Sequence, residues 1–152
     1  VIGILSSVKI LDAINKLLVK AYLDYTVYID LCPKNFERPS FLIEMITAER
    51  NPVNRKTIHE TDFFTITVFD VKDDYGNSST TGLLNLQQGV LDIFKPGYIC
   101  VDGRAVKVKA SSGGRNFGEA YIDIQVEYFE DCSDTADTIP LMKEVITTVK
   151  EE

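Results

Sequence analysis

His59, the chain's one histidine, is followed by Glu60 and Asp62 in the stretch TIHETDFF, residue types from which a general base or a metal site can be built. The spacing works against both. Neighbouring residues of a strand point to opposite faces, so His59 and Glu60 cannot converge on one proton or one ion; a surface position near the start of an exposed strand face is expected. Asp70, Asp73 and Asp74 form a carboxylate cluster without the calcium-loop spacing or its bidentate Glu at the twelfth position, and a solvated turn is expected there. Cys32, Cys100 and Cys132 stand 68 and 32 residues apart. This fits neither a Cys-x-x-Cys knuckle nor an even-numbered disulfide framework, and none has the histidine beside it in sequence as a base. They are expected to be reduced thiols of an intracellular product. Neither a metal nor a cofactor is expected.

Two further stretches carry basic side chains. SSGGRNFG, residues 111 to 118, is glycine-rich and holds Arg115, but it lies between two strand patterns, whereas a phosphate loop runs from a strand into a helix N-terminus. A mobile hairpin loop is expected, with Phe117 the candidate anchor for a protein contact. Arg50, Arg55 and Lys56 cluster in RNPVNRK, read as a loop that is either solvated or paired with an acidic neighbour. An acidic molecule with local basic loops can form head-to-tail contacts between its own copies, which close into rings when the rotation permits.

Several elements must position these residues. Ile4, Leu5, Val8, Leu11, Ile14, Leu17, Leu18 and Tyr22 follow a helical stripe, with Ser6 and Ser7 as candidate caps. YTVYID (25–30), SFLIEMITAE (40–49) and TIHETDFFTITVFD (57–70) change to the two-residue period of strands, the last two as an antiparallel pair. After the turn-rich KDDYGNSSTTG, residues 72 to 82, LLNLQQGVLDIF returns to the helical period with Thr80 or Thr81 placed to cap. YICVDGRAVKVKA turns at Asp102-Gly103, and EAYIDIQVEYFED closes the strands. From Asp134 onward Ile139, Met142, Val145, Ile146 and Val149 form a further amphipathic stripe. The predicted order is α-β-β-β-α-β-β-β-α, an α+β fold with a mostly antiparallel sheet. Residues 1–132 form the domain, and 133–152 form a C-terminal helix packing on it or on a neighbour.

Bulk composition narrows the functional classes. At 152 residues, 45% hydrophobic and 26% charged, the chain has the balance of one globular domain. A formal charge of −7 disfavours sequence-specific nucleic-acid binding, which relies on clustered Lys and Arg. The same charge suits the wall of a channel through which DNA slides. No apolar run approaches the roughly 18 residues needed to cross a bilayer, and no signal sequence is apparent at the front, so a protein made and folded in the cytosol, away from membranes, is expected.

ILSSVKILDAINKLL, YTVYID, NFERPSFLIEMI, TITVFD, LLNLQQGVLDIF and AYIDIQVEYFED together resemble the tail terminator, or tail completion, proteins of Gram-positive phages and phage-derived particles. The resemblance covers about residues 4 to 131 and is most specific from Tyr28 to Phe41. It implies a structural virion subunit, neither an enzyme nor a cofactor binder. Such a subunit forms a ring, usually a hexamer, on the head-proximal end of the tail tube. There it ends tube polymerisation and offers the surface that the head connector, neck or cap joins. The implied partners are further copies of itself and the tube protein, then the sheath protein and head connector. DNA passes through the ring, and assembly takes place in the bacterial host cytoplasm before the subunit joins the virion tail. Another neck or baseplate component is the alternative, and a small thiol hydrolase is a more distant one. The 72–82 loop and the segment after Asp134 lie outside the shared pattern. Within NFERPSFLIE, Pro39 starts a strand, Phe36 is expected to pack, and Arg38 either forms a structural ion pair or contacts the adjacent subunit. Arg38, Arg50, Arg55, Lys56, Arg115 and Phe117 are the expected interface residues.

Overall fold

The computed structural model describes residues 4–131. The elements follow as α1 (Ser7–Ala21), β1 (Thr26–Ile29), β2 (Ser40–Pro52), β3 (Thr57–Phe69), α2 (Thr80–Ile93), β4 (Tyr98–Val101), β5 (Arg104–Asn116) and β6 (Glu119–Asp131). They form one six-stranded sheet in the order β1-β2-β3-β6-β5-β4, with every pairing antiparallel except β1 against β2. The α+β class and the order of these eight elements are as expected from the sequence. The helix expected from Asp134 and the segment 133–152 lie outside the described residues.

Both helices lie against one face of the sheet. Ile10, Ile14 and Leu18 of α1, spaced four apart, are fully buried, and Leu83, Val90 and Phe94 bring α2 onto the same core. The sheet answers with one strand parity across its width: Phe41 and Ile43, then Phe64, Ile66 and Val68, then Ile122, Ile124 and Val126, then Val106 and Val108. Cross-strand register aligns them, with Ile43 opposite Ile66 and Ile66 opposite Ile122. Ser6 caps α1 by accepting from the Lys9 N–H at 3.3 Å. Ser79 caps α2 through the Gly82 N–H, one residue ahead of the expected Thr80 or Thr81; the apolar stripe fixes a helix face but not its first turn.

Two segments expected to be loops are strand. β5 continues through the glycine-rich stretch to Asn116, and the chain turns over Phe117-Gly118 alone, so residues 111–118 are a hairpin and not a loop. Gly113-Gly114 sit in a β-bulge between Ser112 and Arg115, where Gly114 adopts φ +88°, a conformation open mainly to glycine. The buried Gln87 amide of α2 reaches Ser112 Oγ, the Gly114 carbonyl and the Tyr121 carbonyl at 3.0, 3.2 and 2.8 Å, satisfying polar groups around the bulge. Likewise β2 runs on to Pro52, which puts Arg50 inside the ladder opposite Glu60. Both segments are polar, but backbone pairing with β3 and β6 holds them in the sheet.

Candidate assembly surface

At one end of the sheet the turn at 35–39 is tied down from all sides. The Phe36 ring packs on Phe69 with centroids 4.5 Å apart and meets Tyr28 edge-on. Arg38 lies over both phenyl rings, 4.9 Å from Phe36 and 5.2 Å from Phe69, and its Nη1 donates to the carbonyls of Asp70 at 3.1 Å and Gly118 at 3.4 Å. Phe36 therefore packs as expected. Arg38 has backbone carbonyls and rings for partners where an ion pair was one of the two expectations. It joins the turn to the end of β3 and to the β5–β6 hairpin, a cation–π and hydrogen-bond clamp. Just beyond that hairpin Phe117 stands 76% exposed. Arg115 and Phe117 wall an open groove of about 430 Å³ with Ser78, Thr80 and Leu83.

The opposite end carries the β2–β3 hairpin. Arg50 Nε lies 2.7 Å from Glu60 Oε2; the Glu60 side chain is only 3% exposed, that of Arg50 69%. Asp62, on the same strand face and 0% exposed, has no hydrogen-bond partner for either carboxylate oxygen among the described residues. Its pKa is pushed up to about 7, chiefly by burial, then by the adjacent Glu60, with Ser7 and Arg50 opposing the rise. Burial also raises the Tyr128 hydroxyl, which abuts Glu60. Arg55 and Lys56 are exposed in the turn that closes the hairpin, where the Lys56 N–H donates to Asn54 Oδ1. Arg50, Arg55 and Lys56 thus share one end of the sheet, and Arg38, Arg115 and Phe117 share the other.

Between these ends no described residue covers the sheet face away from the helices. Glu44, Thr47 and Glu49 of β2, Phe63 and Thr65 of β3, Asp123, Gln125 and Glu127 of β6, and Lys107 and Lys109 of β5 alternate onto it. It is concave. Residues of all four long strands, among them Ile46, Phe63, Lys109, Asp123 and Gln125, line a single groove of about 450 Å³. Thr65 Oγ1 donates to Asp123 Oδ1 at 3.1 Å across it. The face is charged asymmetrically: carboxylates stand on β2, ammonium groups on β5. Neither this asymmetry nor the burial of Glu60 and Asp62 is evident in the sequence. Alternation within each strand was the available signal, but only the strand order shows which charges stand at opposite margins.

The candidates for catalysis stay apart. His59 lies on the open face, its ring 4.7 Å from Phe129 and its Nε2 3.7 Å from Glu127, while Glu60 points to the other face, as the alternation requires. Asp73 Oδ1 accepts from the Tyr75 and Asn77 N–H groups, and Asp70 Oδ1 accepts from Val71 N–H, so these carboxylates build the turn. Burial and the neighbouring Glu44 and Glu119 push the Cys32 thiol up, which disfavours the nucleophilic thiolate. Cys100 is exposed on β4, and Cys132 lies outside the described residues.

A family model described as phage tail terminator protein matches residues 9–113, from α1 to the bulge of β5. No curated protein matches the chain. Among solved structures the fold is similar to the tube-terminating cap of the anti-feeding prophage, determined by cryo-EM, with a TM-score of 0.57 at 13% identity. The alignment covers 96% of this chain and 62% of the cap chain, so the chain spans less than two-thirds of that protein's length.

Proposed function

The chain belongs to the phage tail terminator family, and from that membership we propose that it is a structural tail-completion subunit. It forms a closed ring, of six copies in the family's usual form, at the head-proximal end of the tail tube. There it stops tube growth and presents the surface that the neck, head connector or cap joins. The tube protein and further copies of the chain are its first partners, with the sheath protein and the neck as further ones. It acts by binding alone, in the host cytoplasm during assembly and then in the virion tail. The family match carries this reading, because it spans the helix, strands and second helix that build the core. The shared fold with a tube-terminating cap supports it.

The interface residues proposed are Arg55, Lys56, Arg115 and Phe117, with Arg38 and Arg50 acting mainly within the subunit. Polymerising tube protein with and without this chain tests the function. Tubes should stop at shorter lengths as the chain is added. Lengths that do not depend on the chain, or its binding at the baseplate end, would turn the assignment toward another tail component.

A further inference from the structure

The sheet has a stepped outline. β1 pairs only with Ser40–Ile43 of β2, which, among the described residues, leaves the outer edge of β2 without a strand partner from Glu44 to Pro52. At the other margin β4 pairs only with Arg104–Lys107 of β5, and after the Val108 N–H bonds to the Gly97 carbonyl the edge of β5 has no strand partner among the described residues from Lys109 to Asn116. Following the registers across the sheet, Ser40 is level with Phe69, Glu119 and Asn116, and Glu49 is level with Thr61, Glu127 and Lys107. β1 is thus level with the bare half of β5, and β4 with the bare half of β2. Each margin carries the piece that the other lacks.

Resting on the ring assignment above, we propose that successive copies join through these two margins, β1 of one copy against the bare half of β5 of the next and β4 against the bare half of β2. Directions allow it. With all copies upright about a common axis, β1 runs antiparallel to the neighbour's β5, and β4 runs parallel to the neighbour's β2. Away from the bulges at Met45/Thr47 and Ser112/Arg115, bare edges invite pairing with another chain, and the charges select which edge is accepted. Glu44 and Glu49 stand on the β2 margin and Lys107 and Lys109 on the β5 margin, all on the open face. Like margins repel and unlike margins attract, which disfavours a two-fold dimer through one edge and favours a head-to-tail ring. Apolar side chains stand in water at both steps: Ile29, Met45 and Ile46 on one side, Tyr98 and Phe117 on the other. Such a contact would bury them. The concave face then lines the lumen, with Glu44, Glu49, Glu119, Asp123 and Glu127 outnumbering Lys107 and Lys109, and the helices lie outside.

Charge reversal on each margin tests this. One variant carries Glu44→Lys and Glu49→Lys, the other Lys107→Glu and Lys109→Glu; circular dichroism confirms that both fold, and native mass spectrometry reads the number of copies. The wild type should assemble, each variant alone should lose at least about tenfold in self-affinity, and an equimolar mixture should regain the wild-type mass with alternating copies. If the wild type assembles and both variants do so equally well, or if folded variants fail to rescue each other, the margins are not the contact, though the ring stands. A wild type that keeps the mass of one copy, even at its solubility limit and with tube ends added, overturns the ring and this contact together.

Discussion

Arg38 shows how a recognisable residue can serve the subunit's own structure. Its guanidinium closes over Phe36 and Phe69 and holds two carbonyls, so Arg38→Ala should cost about 2–4 kcal/mol while assembly of the folded protein persists; chemical denaturation and native mass measure the two separately. Asp62 gives a pH signature. Its folded pKa of about 7 stands above the ordinary 3.8. Below pH ~4 both states hold the proton, between ~4 and ~7 only the folded state does, and stability falls as pH rises through that window. Asp62→Asn should therefore stabilise the protein by about 1–3 kcal/mol at pH 8 and by progressively less towards pH 4, read from thermal unfolding across pH. Arg50→Ala should cost about 1–3 kcal/mol at pH 8, discounted for the solvent-exposed guanidinium, because it leaves Glu60 buried without its cation. The sequence made the opposed directions of His59 and Glu60 legible through strand alternation. It could not show that Glu60 and Asp62 are buried, since that follows from the N-terminal end of α1 packing beside Ser7, a contact between residues 53 apart in sequence.

At the scale of elements, apolar periodicity located both helices and the strands, because each buries one face on a common core. It failed at the strand ends. Backbone pairing to β3 and β6 holds the polar ends of β2 and β5 in the sheet, so residues 50–52 and 111–116 have loop composition and strand conformation. Gly89 marks another limit of local propensity. Alanine is the better helix former by roughly 1 kcal/mol, yet a Cβ at Gly89 would run into the Tyr22 hydroxyl, and Tyr22 is held by a tilted contact with Tyr25 and an edge-on contact with Phe41. Gly89→Ala should consequently fail to stabilise and should lower the melting temperature, whereas the same change in an isolated peptide of α2 should raise its helicity by circular dichroism. Ile14→Ala, at the centre of the α1 stripe, should cost about 2–5 kcal/mol.

The whole molecule is acidic, but its charge is arranged and not uniform. Carboxylates stand along the β2 margin and line most of the open face, and ammonium groups stand along the β5 margin. The net charge of −7 is legible in the sequence, but its distribution follows from strand order, which no single stretch of sequence reveals. The stepped outline belongs to the same scale, being a property of four registers taken together. Family membership and this outline converge on a subunit completed by copies of itself at a tube end. Electron microscopy of tail tubes incubated with the gold-labelled chain, viewed from the side and end-on, measures that most directly. The account predicts one closed ring at a single, head-proximal end of each tube. Label along the tube walls, at the baseplate end or absent from tube ends would contradict it.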